Sequence, residues 1–341
     1  GLPINETVYE GIGTGGTKKS ETKYFYDQVS DCNTASTNQV PDKGKLTRIE
    51  RWLDGGLSPE IRMAYNSVGN LTCRSDANGN TASISYDNSS YTFQTSTTNA
   101  LGHVTETRYY GIGGETGNGL YGQVKNVTDP HGAVTSYEYD TFGRKIKVTM
   151  PDGSYTTISY NDFGTNSQNV QTSTSAGLFS WTYFDGFGRT ILEKGTGPDN
   201  KIIATQAVYD ARGAVKQKSL PYFYGDETPK YTYYTYDPVG RVIEVTNPDN
   251  IKIKSCYNDW VAVTIDPNDH KKRTTKDAYG RLIKVEEYTG TFSSCDTSQG
   301  IPYATTNYTY DILGNLLAVT DGKNNTTTMS YDTLGRKTSM H

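Results

Sequence analysis

The sequence has little of what a helical or thick-cored protein needs. Nowhere do apolar residues recur at the three-and-four spacing of a helix over a helical length, so almost no helix is expected. Hydrophobic residues make up only 34% of the 341 positions and mean hydropathy is −0.67, low for a compact core. No apolar run approaches the roughly 18–20 residues a membrane helix needs, and no signal peptide is visible at Gly1. No sign of charge dominates. The net charge is −4 with both signs interspersed, and the longest basic run is Lys271-Lys272-Arg273. Binding to phosphate backbones needs concentrated positive charge, so nucleic acid is not an expected partner. The four cysteines, Cys32, Cys73, Cys256 and Cys295, form no CxxC pair, which removes the usual zinc spacing. They read as free or buried thiols, with one or two disulfides as the alternative in an oxidising compartment.

What is abundant is tyrosine, glycine and turn chemistry. There are 28 Tyr and 35 Gly, and so many aromatics argue against disorder. Tyrosine packs its ring while its hydroxyl reaches water or the main chain, which suits a thin sheet wet on one side. Asp129-Pro130-His131-Gly132 is a turn signal. Ala133 to Tyr139 is rich in strand-forming residues. Asp140-Thr141-Phe142-Gly143 turns again, closed by Arg144, and Lys145 to Met150 alternates polar and apolar. A further turn, the strand Tyr155 to Tyr160 and the turn Asn161-Asp162-Phe163-Gly164 complete a period of two strands and two turns.

This period repeats. The phrase Tyr139-Asp140-x-x-Gly143-Arg144 recurs as Tyr236-Asp237-x-x-Gly240-Arg241 and Tyr331-Asp332-x-x-Gly335-Arg336, and with one change as Tyr310-Asp311-x-x-Gly314-Asn315. Tyr209-Asp210-x-x-Gly213 is a further one-change copy, looser copies stand at Tyr65, Phe184 and Lys276, and a degenerate one at Tyr257-Asn258-Asp259-Trp260. A second turn type, as at Asp76, Asn99, Asn247, Asp266 and Asp321, alternates with it.

On these motifs the chain resembles the RHS or YD-repeat family, the shell-forming part of bacterial RHS polymorphic toxins, insecticidal toxin complexes and related teneurin-like surface proteins. The resemblance runs from about Leu46 to His341. It implies an all-β fold: a tandem antiparallel hairpin ribbon, spiralling into a curved or hollow shell-like body. Residues 1–45 read as N-terminal strands and a polar insert leading into a single continuous array at 46–341. The resemblance also implies a secreted or cell-surface setting and a polypeptide payload as partner. The family's self-cleaving region and variable toxin have no matching positions, so the sequence reads as a segment of a shell or a relative without a toxin.

The chemistry-bearing residues read mostly as structure. A catalytic dyad is needed once, whereas the Tyr-Asp pair recurs in every repeat. Asp140 and its counterparts are expected to cap the turn by accepting N–H bonds, Gly143 to supply a positive φ, and Arg144 to cross to a carboxylate in the neighbouring repeat. The glycine-rich stretches at 11–18 and 111–119 lack the following helix of a phosphate-binding loop. Asp76-Ala77-Asn78-Gly79 fails the calcium-loop pattern at its sixth and twelfth positions. His103, His131 and His270 sit at or beside one turn type, yet repeats rarely converge on a metal. No cofactor, metal site or catalytic residue is expected. Two other readings stand beside the shell: a filament of neighbouring copies joined through exposed edge strands, and a cell-surface glycan or receptor module with Trp52, Trp181 and Trp260 as stacking rings.

Overall fold

A computed structural model describes residues 1–27, 31–33, 41–293, 295–296 and 300–341. Among these the chain is all-β, with 28 antiparallel strands in one open sheet and a single 3-10 turn at Pro198–Asn200. It divides into two compact units, 1–157 with 331–338 and 158–330 with 339–341.

Within each unit the strands form a meander, each lying antiparallel to its sequence neighbours. Val134–Tyr139 pairs with Lys145–Thr149, placing Ser136 opposite Thr149, Tyr137 opposite Val148 and Glu138 opposite Lys147. The Glu138–Lys147 pair is an ion pair of 3.4 Å, the kind of cross-strand contact that stabilises a sheet. One residue later the register slips, so that Tyr139 faces Lys145. The same slip precedes the turns after Tyr65, Tyr209, Tyr236 and Tyr310. One departure interrupts the second unit. The short strand Tyr222–Phe223 pairs with Ile202–Tyr209, and Val215–Ser219 pairs with Tyr231–Tyr236.

A single sheet buries little by itself, and the core sits where inserts cross it. Cys32 is bonded to Cys73, and Cys256 to Cys295. The free-thiol reading is therefore corrected. Each bridge ties a polar insert to a strand several places away in the meander, a contact that local spacing does not encode. In the first unit the Cys32 sulfur lies against the Arg62 carbonyl, and Arg62 donates to Asn33 O at 3.0 Å. Phe25, Tyr26, Thr47, Ala64 and Ser75 are buried in this region of the sheet. In the second unit Phe292 N–H donates to Asp269 O at 3.0 Å, Lys254 Nζ donates to Ser293 O at 2.8 Å, and the Cys295 sulfur lies against Val263 O. Val263, Ile265, Lys271, Glu286 and Tyr288 are buried there.

The two glycine-rich stretches are loops. Residues 10–17 close a hairpin tip through Glu10 N–H to Thr17 O at 2.9 Å. Residues 111–119 fold over the buried Tyr110 ring. A Cβ on Gly119 would stand 2.2 Å from that ring, so the approach demands glycine. Also within the first unit, the Thr333 hydroxyl accepts from Asp54 N–H and donates to Trp52 O, each at 3.1 Å. Ser167 to Gly177, ambiguous between loop and strand by composition, contains the strand Asn169–Thr174. Parts of the inserts at 28–45 and 289–302 fall outside the described residues.

Candidate functional site

The repeated turn gathers the residues singled out by the sequence. At Asp140–Arg144 the Asp140 N–H donates to Arg144 O at 2.9 Å and Gly143 N–H donates to Asp140 O at 3.0 Å. Asp140 Oδ1 accepts from the N–H groups of Phe142 and Arg144, and Oδ2 accepts from Arg144 Nε at 2.7 Å. Gly143 has φ 79°. This is a three-residue hairpin loop with a glycine bulge, the Asp acting as its internal cap.

The other copies share the geometry. Asp237 Oδ1 accepts from Val239 and Arg241 N–H, and Oδ2 from Arg241 Nε at 2.7 Å. Asp332 does the same with Leu334 and Arg336. At Asp311 the fifth residue is Asn315, whose Nδ2 donates to Oδ2 at 2.8 Å in place of the guanidinium. Gly240, Gly314 and Gly335 all take positive φ.

These bonds hold the carboxyls of Asp140, Asp237 and Asp332 below their usual range. For Asp332 the Arg336 N–H leads. For Asp140 and Asp237, partial burial pushes upward and the N–H and side-chain bonds from the closing arginine outweigh it.

The arginine does not cross to a neighbouring carboxylate. That expectation is corrected: its partner is the aspartate four residues back in its own turn. What reaches the next repeat is the face of the guanidinium. Arg189 lies 4.5 Å from the Tyr209 ring centre, Arg241 4.4 Å from Tyr257 and Arg281 4.9 Å from Tyr310. Arg281 also donates to Asp311 O at 3.1 Å. The tyrosine hydroxyl completes the link. Tyr139 donates to Val124 O, Tyr236 to Val215 O, Tyr257 to Val242 O and Tyr310 to Leu282 O, at 2.8 to 3.0 Å. Val215, Val242 and Leu282 each follow the last residue of a preceding turn of the same kind, and Val124 follows Gln123, whose carbonyl accepts from Tyr110 N–H to close the longer loop at 110–123. Tyr331 leads into the last copy and is half-buried.

Two copies depart. Tyr257 keeps the tyrosine link, but its turn is a tight one through Asp259, at φ 48°. Asn161-Asp162-Phe163-Gly164 lies in a different turn, with Asp162 itself at φ 52° and Thr165 N–H donating to Asp162 O. The supposedly distinct second turn has the same main-chain form as the first. Asp129 N–H donates to Ala133 O, and Asp129 Oδ1 accepts from His131 and Ala133 N–H. The fifth residue is Ala133 here and Arg144 there.

Trp52 is half-buried under Lys18 Nζ, 4.1 Å from its ring centre. Trp181 packs against Phe179 at 5.2 Å. Trp260, at the tight turn, is 55% exposed. His270 Nδ1 lies 3.1 Å from Asp266 Oδ2, and His103 Nδ1 3.3 Å from Asn99 Nδ2. No cluster of three or more His, Cys, Asp or Glu fit to hold a metal exists among the described residues. No helix among them is long and apolar enough to cross a membrane.

Sequence reasoning missed the pairing of the cysteines. One signal was present: each pair joins a cysteine in a polar insert to one in a strand, at separations of 41 and 39.

This Tyr-Asp-Gly-Arg hairpin meets its counterpart in a known family. The RHS Repeat family model matches residues 121–155 and 310–341. The chain carries RHS repeats. The fold agrees: the crystal structure of TcdB2-TccC3-TEV superposes with a TM-score of 0.74 at 13% identity, covering 95% of this chain and 24% of that one. TcdB2-TccC3 without its hypervariable C-terminal region gives 0.74 at 12% identity, covering 95% of this chain and 24% of that one. TcdB2-TccC3-Cdc42 gives 0.73 at 12% identity, covering 97% and 24%. The chain thus spans about a quarter of the length of those it matches. No curated protein matches it in sequence.

Proposed function

We propose that this RHS chain is a non-enzymatic wall segment of an extracellular scaffold that encloses or displays a polypeptide. One observation carries the reading. In the copies at 139–144, 236–241 and 310–315 the tyrosine, aspartate and closing residue are bound to one another or to the main chain. Chemistry that recurs from repeat to repeat serves cohesion of the ribbon. The fold likeness to TcdB2-TccC3 supports it. Two of those structures are named for TEV and Cdc42 beside TcdB2-TccC3, which fits a wall that accompanies different polypeptides. The two disulfides support an oxidising, extracellular setting.

The test is light-scattering mass and negative-stain microscopy of the oxidised protein over a range of concentrations. A wall segment stays monomeric, with no thiol open to labelling. Rods lengthening with concentration would replace this reading with a filament of joined copies.

A further inference from the structure

The insert that carries Cys295 covers a lysine that the sheet has taken out of water. Lys271 is 2% exposed, and its ammonium lies 4.7 Å from the Tyr288 ring centre and 5.2 Å from that of Phe292. Those two rings meet edge to face at 6.1 Å. A Cβ on Gly300 would stand 3.0 Å from the first and 3.3 Å from the second, so the returning chain closes over them. We propose that Lys271 Nζ and the side-chain carboxyl of Asp296 condense into an intramolecular amide, an isopeptide cross-link that fastens the insert to the sheet. The cross-link is independent of the wall role.

Strand register and the insert bring the two groups to one place. Pairing sets Cys256 opposite Val263, Val263 opposite Arg273, and Arg273 opposite Glu286. Paired residues share a face and side chains alternate along a strand, so Lys271 and Tyr288 belong to that face as well. Lys272 and Glu287, on the other face, are exposed. Cys295 is bonded to Cys256 and its sulfur lies against Val263 O, which seats the insert on the face that holds Lys271. Asp296 is the next residue. Two carboxylates act on the Lys271 ammonium, Asp296 more strongly than Glu286. Glu286 is committed elsewhere: it accepts from Arg273 at 2.6 and 2.8 Å and pairs with Lys284 at 2.8 Å. Asp296 is therefore the acyl donor.

The step needs no reagent beyond the two side chains. Burial pushes the Lys271 amine below its ordinary range, against the opposing charge of Asp296. The ammonium passes one proton to the carboxylate, leaving a neutral amine and a neutral acid, which a site closed to water favours over bare charges. A desolvated lysine is a nucleophile. Its lone pair attacks Asp296 Cγ, the Nζ–Cγ bond forms, one Cγ–O bond breaks, and the hydroxyl leaves as water with a proton from the nitrogen. Holding amine and acid side by side supplies the effective concentration that free partners lack. The product also removes two buried charges whose desolvation the fold otherwise bears.

The test is the intact mass of the protein, unfolded in denaturant with both disulfides left oxidised. The chain should weigh one water less than its composition with two disulfides requires. Tandem mass spectrometry of the digest should find a branched peptide joining residues 271 and 296. Lys271→Met and Asp296→Ala should each restore the missing water. Asp296→Asn should form the same amide by releasing ammonia, and so reach the same final mass as the parent chain. The parent chain is read directly, so the result is decided even should Lys271→Met lose its fold. The proposal is overturned by full mass in the parent chain, which marks Lys271 and Asp296 as an ion pair only, or by a deficit that persists in Asp296→Ala. It is also overturned by a deficit that maps to an Asp-Gly step such as Asp152-Gly153, where aspartate loses water by cyclising on the main chain.

Discussion

Asp140 caps two N–H groups with one oxygen and holds a guanidinium with the other. Asp140→Ala removes all three bonds, and Asp140→Asn keeps the N–H acceptor while losing the charge. The melting temperature should fall by on the order of a few degrees for alanine and by less for asparagine. Equal melting of all three proteins would refute the capping role. Tyr236→Phe deletes one hydroxyl and leaves Val215 O without its donor; urea titration should show a loss of about 1 kcal/mol. The carboxyls of Asp140, Asp185, Asp237, Asp277 and Asp332 all titrate below their ordinary range. A carboxyl whose folded pKa is depressed adds stability above its unfolded value, near 3.9, and loses it as pH falls toward the folded value. The urea midpoint should therefore be nearly flat from about pH 8 to 5 and drop below about pH 4. A midpoint that rose on acidification would contradict this sign.

At the scale of the element, the five-residue turn is legible because its bonds are local. Asp and Gly at fixed spacing specify the cap and the positive φ, whereas the arginine, expected to cross to a neighbouring repeat, pairs with the aspartate of its own turn. The destination of the arginine face was not legible, because it depends on which tyrosine the register brings alongside. Gly240 has φ 89° and open space where a Cβ would go. Gly240→Ala should thus report the backbone strain alone, about 1 kcal/mol. Asn324 fills the same position at φ 66° without glycine, so Asn324→Gly should be neutral or slightly stabilising in the same urea assay. The inserts behave differently. The Cys256–Cys295 bridge closes a 39-residue separation, and the double Cys256→Ser, Cys295→Ser variant should lose about 2–4 kcal/mol. An unchanged midpoint would show that the insert holds its place on the sheet without the bridge.

At the scale of the whole molecule, most strands touch only their neighbours in the chain, and repeat arrays of this kind gain stability as a sum of local interfaces. Scanning calorimetry should accordingly give a calorimetric enthalpy larger than the van't Hoff value. Equality of the two would mean that the chain melts as one block. The sequence by itself determined the strands, the turns and their recurrence, since these follow from side-chain alternation and from hydrogen bonds spanning a few residues. Only the tertiary structure decided which cysteines meet, why Lys271 is buried between rings, and how the insert brings Asp296 to that lysine. Those contacts depend on strand register accumulated over many residues and on inserts folding back across the sheet, and neither is written in any short stretch of chain.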